Sequence, residues 1–511
     1  MARFYVQGER RGLQTPPLQP SSWLLRSETV EDNGFRTTFR LFRVDSRGEL
    51  NPVGTVKIIR KGMMTGRPSL NSSFDELGPN YASLGAELDY YRNLKDIAGA
   101  EARDVLKALG DIATDPARRH RFAEDPGYEA SLLRFSPARA ALKEAADIFN
   151  AARAPRERSA ASLTFNTSTG GAGFSVDFDF EVRTDIPGRI NVIVGANGSG
   201  KTRLLANLAM AAFDSPEGGS ERPWGTLKGN PFLSRVLAFS YSAFDDFDVP
   251  GANANQRSAF LGQDSSLGYR YFGLRNLAET RSGNARASAL KTSGQISYDF
   301  RNAVERAIDE EPALFVSLLN NLMEEPSFGS AGIAPARLDK DLRSQLDRIF
   351  SASSTGHKFV LLMISQLVAH VRDGSLVLVD EPEAHLHPPL LATFLKVLRQ
   401  LLDAKDSHAI IATHSPFVVQ ETPARYVRVV TRYVNRTAVE SPRTETFGED
   451  IGTVSREVFR LDSRRGEFVS ILQDLASRYS LESLENLFEG GMSSQARALV
   501  IAIQARAGTL R

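Results

Sequence analysis

The sequence predicts an α/β fold: a mostly parallel sheet, an antiparallel β subdomain and helical insertions. Three observations carry this expectation. "SLVLVD" and "HAIIATH" are short apolar runs separated by a helical stretch, Pro389 to Leu402, which is a βαβ unit of a parallel sheet. "RTTFRLFRV" alternates apolar and polar residues, as a half-buried antiparallel strand does. Between the apolar runs "INVIV" and "RLLANLAMAAF" lies a glycine-rich break, "GANGSGKT", where a strand must turn sharply into a helix.

Bulk properties bound the function. The chain has 511 residues, enough for two to four domains at about 150 residues each. Hydrophobic content of 42% and charged content of 24% are ordinary for a soluble globular protein. A formal net charge of +1 points to neither nucleic acid nor membrane as a partner. The lack of cysteine excludes disulfides, thiolate catalysis and cysteine-ligated zinc or iron–sulfur sites. The first residues lack the apolar stretch of a signal peptide, and no run reaches the ~18 apolar residues of a membrane-spanning helix. A soluble, cytoplasmic protein is expected.

Along the chain, residues 1–21 are polar and proline-rich and read as a flexible arm. Residues 22–73 read as the N-terminal β part. "RTTFRLFRV" and "VGTVKII" flank a "DSRGE" turn there. Residues 74–150 switch to helical spacing and read as a helical insertion, with Leu84, Leu88 and Tyr91 on one face and Ala138, Leu142, Ala145 and Phe149 on another. Residues 151–249 return to strands: "SLTFNT", "FSVDFDFEV", "INVIV" and "RVLAFSYS", with "STGGAG" breaking the first two. Residues 250–350 form a loop-rich, then helical, lid-like insertion in which "YRYFGL" is a candidate strand. Residues 351–447 hold a helix, 357–372, that is apolar nearly all round and hence buried, followed by the βαβ unit and further strands. Residues 448–511 read as a helical C-terminal region.

"GANGSGKT" matches G-x-x-x-x-G-K-[ST], the phosphate-binding loop. At ordinary residue frequencies chance produces such a match in a chain this long about 2% of the time. The chemistry explains the spacing. Backbone N–H groups of the loop curl round a β-phosphate, and the helix N-terminus adds the positive end of its dipole. Lys201 supplies a point charge to the β- and γ-phosphates, and Thr202 a hydroxyl for Mg²⁺. Gly195, Ala196, Asn197, Gly198, Ser199, Gly200, Lys201 and Thr202, with Arg203 opening the helix, are the expected nucleotide contacts.

A second strand must complete such a site. "SLVLVDEPEAHLHP" ends its apolar run in Asp380 and Glu381. Asp380 can hold the Mg²⁺ shell with Thr202, and Glu381 can polarise the attacking water. "AIIATHS" ends in His414, placed to sense the γ-phosphate. "SSTGHK", opening the buried helix, offers Ser354, Thr355 and Gly356 as a helix cap with free N–H groups, a further anion site.

The order of these four pieces resembles the ATP-binding-cassette (ABC) class of P-loop ATPases, in its SMC/RecF/OLD-like branch. "EPEAHLHP" is similar to the corresponding stretch in AAA-family ATPases of prokaryotic defence systems, Septu-type ATPase subunits among them. The resemblance covers 353–430 well and 22–60 and 162–247 loosely. It implies ATP and Mg²⁺ as cofactors and a homodimer that sandwiches ATP, with Ser354 and Gly356 standing where the class carries its signature motif. It further implies a separate effector, a nuclease, in antiphage defence or DNA repair. Two departures stand out. The loop "SYSAFDDFDVP" has no glutamine where the class usually has one, so no residue takes that role. The tail after Thr431 is too short for the nuclease domain of OLD proteins and lacks a tight acidic cluster.

Other features read as structural. His385 and His387 sit at i, i+2 without cysteine neighbours, and zinc is not expected there. The basic stretches "DPARRHRF" and "DSRRGEF" read as solvated faces or turns, with contact to nucleic acid as the minority reading. Two alternative functions remain open at this level: the ATPase subunit of a membrane transporter, and an ATP-binding assembly switch that does not hydrolyse. Glu381 favours hydrolysis.

Overall fold

The structure is a computed structural model that describes residues 2–8, 18–28, 34–149, 162–181, 186–213, 223–229, 233–243, 245, 247, 250, 268–276, 290–330, 341–459 and 467–507. Its N-terminal part is a six-stranded sheet with helices on one face. Strands β1 (Phe4–Gln7), β2 (Trp23–Ser27), β3 (Thr38–Val44), β4 (Leu50–Arg60), β5 (Ser73–Phe74) and β6 (Tyr81–Gly85) lie in the order β5-β1-β2-β3-β4-β6. Helices α1 (Leu88–Ala98), α2 (Ala102–Leu109), α3 (Pro116–Phe122) and α4 (Ser136–Phe149) share one core with it, around Trp23, Phe39, Tyr91 and Phe122.

Two expectations change here. Residues 4–7 are not part of a flexible arm: Phe4 is fully buried, and β1 pairs in parallel with β2 and antiparallel with β5. Residues 9–17 lie outside the described residues. Nor is 74–150 purely helical or separable at residue 73, because β5 straddles that boundary and β6 pairs with β4. Leu84 belongs to β6, whereas Leu88 and Tyr91 begin α1. The three residues mimic one helical stripe only because a strand and a helix abut.

The second part holds the parallel sheet. Its elements are β7 (Ser162–Thr167), β8 (Phe174–Asp179), β9 (Ile190–Val194), α5 (Lys201–Phe213), β10 (Thr226–Lys228), β11 (Arg235–Ser240), β12 (Tyr269–Gly273), α6 (Ser293–Glu310), α7 (Pro312–Met323), α8 (Pro326–Ser330), α9 (Leu342–Ala352), α10 (Thr355–His370), β13 (Ser375–Asp380), α11 (Pro388–Ala404), β14 (His408–Thr413), α12 (Pro416–Gln420), β15 (Val427–Tyr433) and β16 (Arg436–Glu440). The sheet order is β12-β11-β13-β14-β9-β15-β16, parallel from β12 to β15 and antiparallel at β16. A small antiparallel sheet, β10-β7-β8, is the β subdomain beside it.

Every residue of β9, β11, β13 and β14 is buried, as their continuous apolar runs require. Helix α5 lays Leu204, Leu205 and Leu208 against the Val236, Leu378 and Ile410 face of the sheet. Helix α10 is buried along nearly its whole length, which accounts for its all-round apolarity.

Charge joins the N-terminal part to the sheet. The buried Arg235 guanidinium of β11 donates to Glu87 (2.7 Å) and Asp89 (3.0 Å), and Arg372 donates to Asp89 (2.9 Å) and Glu310. Burial pushes Glu87 up against the opposing pull of Arg235. Burial also pushes on Asp89, but Arg235, Arg372 and Arg92 together hold it well below the usual carboxylate range.

Residues 449–511 form a second compact unit. Helices α13 (Ile451–Glu457), α14 (Glu467–Arg478), α15 (Leu481–Glu485) and α16 (Ser494–Ala507) belong to it. Leu472, Ala476, Leu484 and Val500 form its small core. The basic stretch "DSRRGEF" falls mostly outside the described residues. Its counterpart "DPARRHRF" is helix α3, where Asp115 caps the N-terminus and Arg118 is buried, donating to the Tyr81 carbonyl.

Candidate functional site

The loop 195–200 leaves the end of β9 and opens α5, as the motif requires. Gly200 takes φ +90°, a conformation that a side chain would strain. The loop borders a cleft of about 650 Å³ lined by Asn197, Gly198, Gly200, Lys201, Thr202 and Arg203 on one wall and by Glu381 and His414 on another. Thr169, Gly170 and Arg432 complete it.

Lys201 is buried, and its ammonium donates to the carbonyls of Gly195 (3.0 Å) and Ala196 (3.4 Å). The ammonium is also 4.0 Å from Glu381. Burial lowers its pKa, while Glu381, Asp380 and Glu383 pull the other way. Its donors therefore rest on loop carbonyls until an anion of higher charge arrives.

Thr202 Oγ1 donates to Asp380 Oδ1 at 3.2 Å, which brings the two expected metal groups together. Burial pushes Asp380 up to about 7, with Glu381 and Asp245 adding to the effect and the Thr202 hydrogen bond opposing it. A hydroxyl beside a buried carboxylate is a hard-oxygen donor set of the kind Mg²⁺ uses, and a bound cation would favour the ionised carboxylate. Ser240 pairs with Asp380 across β11 and β13, and its buried hydroxyl has no hydrogen-bond partner.

Glu381 is held in the left-handed region at φ 47°, with its N–H donating to the Ala412 carbonyl at 2.8 Å. This conformation is costly for a non-glycine residue. His414 Nδ1 is 3.5 Å from Glu381 and 3.2 Å from Glu383. Glu383 accepts from Thr413 Oγ1 (2.5 Å) and from the His414 N–H (2.7 Å), so it anchors the turn that carries His414. Its other carboxylate oxygen is buried without a partner.

Ser354 and Gly356 are not in this chain's cleft lining. Ser354 caps α10, its Oγ accepting from the His357 N–H (3.4 Å) and standing 3.0 Å from His357 Nδ1. His357 Nε2 lies 2.7 Å from Ser327 Oγ, which in turn donates to Glu325. Burial holds the His357 imidazole below its usual value. Gly356 meets the loop after β13 so closely that a β-carbon there would lie 2.9 Å from the His385 carbonyl oxygen. His385 stacks on Phe359 at 3.9 Å, and His387 caps α11 through Leu390 N. The two rings thus serve separate packing and capping contacts. No described residue of 250–350 lines the cleft.

The loop after β11, where no glutamine stands, is pinned by Asp245. Its carboxylate accepts from Tyr271 (2.7 Å) and Arg275 (2.8 Å). Sequence reasoning missed three residues of the cleft lining, and missed the anchoring contacts of Glu383, which it weighs only as a fallback for the base. Thr169 and Gly170 lie in the "STGGAG" break, whose glycines were the available signal. Glu383 lies in "EPEAHLHP", where only the fold shows which acid faces His414. Arg432 sits on β15 in a strand with no local motif.

The chain is similar to several known proteins. Residues 190–420 match the family described as "AAA domain, putative AbiEii toxin, Type IV TA system". Protein ea59 of Escherichia phage lambda is 29% identical over 96% of this chain and 97% of its own length. Septu protein PtuA of Bacillus thuringiensis is 24% identical over 45% of this chain and 67% of its own. Among solved structures, the SMC head domain from Thermotoga maritima matches with 14% identity and a TM-score of 0.28, covering 56% of this chain and all of that one.

Proposed function

We propose that the chain is a P-loop ATPase of the ABC type that binds ATP with Mg²⁺ between two copies of itself and controls a partner effector by hydrolysis; the match of residues 190–420 to an AAA-domain family and the cleft beside the phosphate loop support this reading. One observation supports this above the others. Lys201, Glu381 and His414 come from three different strand ends and line a single cleft, where Glu381 lies 4.0 Å from the Lys201 ammonium and 3.5 Å from His414 Nδ1, with Thr202 and Asp380 bonded beside them. In this reading Lys201 and the loop amides hold the phosphates. Thr202 and Asp380 would hold the cation, which when bound would supply positive charge beside the phosphates. Glu381 takes the proton of the attacking water, and His414, fixed by Glu383, holds the γ-phosphate.

The setting is conflict between phage and bacterium. It rests on relatives from both sides, one in a phage and one named for Septu in a bacterium. We take the effector to be a separate protein, a nuclease, and the site of action to be the cytoplasm. Among the described residues no helix is long and apolar enough to cross a membrane. DNA repair is the neighbouring setting.

Glu381→Gln tests the proposal. The amide preserves shape and removes the base, so turnover should fall ~100-fold or more, since a placed general base contributes ~10²–10⁴. ATP binding should persist, and dimers should accumulate with ATP in light scattering. If wild type and variant hold ATP equally and neither turns it over, the chain is an assembly switch instead.

A further inference from the structure

The order of strand ends across the sheet gives the cleft a direction. Asp380 and Glu381 follow β13, His414 follows β14, the phosphate loop follows β9, and Arg432 stands near the end of β15. Neighbouring strands are ~4.8 Å apart. All groups assigned to the γ-phosphate therefore lie on one side of the phosphate loop, and Arg432 lies on the other. A triphosphate whose γ end faces Glu381 and His414 must send its ribose and base toward β15.

What waits there is a guanidinium. Arg432 lines the cleft, is exposed, and has no hydrogen bond or ion pair among the described residues. A β-carbon placed on Gly200 would be 3.5 Å from Thr169 and 3.9 Å from the Arg432 guanidinium, so both stand against the start of α5. The loop between β7 and β8 is fixed to the turn after Arg432, since the Ala172 N–H donates to the Asn435 carbonyl at 3.0 Å. Thr169, Gly170 and Arg432 thus form one wall. Among the described residues that line the cleft there is no Phe, Tyr or Trp, and its one aromatic ring, His414, lies on the Glu381 side.

We propose that Arg432 holds the base of the bound nucleotide by stacking its planar guanidinium on the ring, with Thr169 and Gly170 beside it. This deepens the reading of the cleft as an ATP site and rests on it. Stacking tolerates any base, because each has a π face, so the cleft should accept GTP about as well as ATP.

Calorimetric binding of ATP, GTP and inorganic tripolyphosphate to the full chain tests this in wild type, Arg432→Ala, Arg432→Tyr and Lys201→Ala. Arg432→Ala should weaken ATP and GTP by similar factors of about ten, the scale of a desolvated stacked cation. Tripolyphosphate, which has no base, should bind it unchanged, and Arg432→Tyr should recover most of the ATP affinity. Two results overturn the proposal while leaving the ATP site intact: unchanged ATP affinity in Arg432→Ala, or an equal loss of tripolyphosphate, which would make Arg432 a phosphate ligand. Unchanged ATP affinity in Lys201→Ala would remove the site itself.

Discussion

Two residues at the γ end divide the work that one histidine was expected to do. His414 presents a ring to the cleft, and Glu383 holds the backbone and side chains that aim it. His414→Ala should slow hydrolysis yet spare ADP, because its proposed partner is the γ-phosphate. An equal loss of ADP and ATP in equilibrium binding would make it a structural histidine. Glu383→Ala should slow turnover about ten-fold or more by freeing the turn, while Glu383→Gln keeps an acceptor for Thr413 and His414 N and should lose less. If both variants fall equally far in steady-state assays, Glu383 acts through its charge rather than through these bonds. Lys201→Ala should lose tight ATP binding, read by the same calorimetry, since among the described residues no other ammonium lines the cleft.

Helix α10 carries the clearest element-scale expectation. Its N-terminal cap lies outside this chain's own cleft lining, yet it has the serine and the free amide ends that bind an anion. We assign Ser354 and Gly356 to the ATP held by the partner copy. Ser354→Arg should then abolish turnover while ATP still binds. Mixed with Lys201→Ala, each inactive alone, it should regain activity, because one site of the mixed dimer carries both defects and the other neither. Nothing regained, with mixed dimers shown by native mass spectrometry, would refute that assignment. Elements were legible in the sequence wherever burial was complete. β9, β13 and β14 are buried at every position, and each carries an unbroken apolar run that reads as a strand. Short edge pieces were not: β1 is four residues in polar surroundings and β5 only two. The catalytic side of the cleft was legible because its residues sit in contiguous motifs. The β15 side was not, because Thr169 and Arg432 are far apart in the chain and belong to loops and strands of two different sheets, joined by the hydrogen bond from Ala172 N–H to the Asn435 carbonyl.

At the scale of the molecule, the N-terminal sheet and the ATPase sheet meet through buried charge. Arg235 has lost nearly all contact with water and answers two carboxylates at once. Asp89 also pairs with Arg372 and Arg92, so removing Arg235 chiefly leaves Glu87 buried without its hydrogen-bonded cation, at about 3–5 kcal/mol. Arg235→Met should therefore destabilise residues 1–448 by that amount in denaturant unfolding. Glu87→Gln should cost less, since burial already disfavours the Glu87 charge. Equal midpoints for wild type and Arg235→Met would show that the network adds nothing to the joint. The sheet order has a consequence for how the protein is made. Strand β9 is complete once residue 194 leaves the ribosome, but its two neighbours, β14 and β15, end at residues 413 and 433. At ~5–20 residues per second, a strand buried at every position in the finished fold waits on the order of ten seconds or more for either edge to be covered. Synthesis is thus the interval in which this protein most needs a chaperone, and a chain released before residue 433 would carry a phosphate loop on an unfinished sheet.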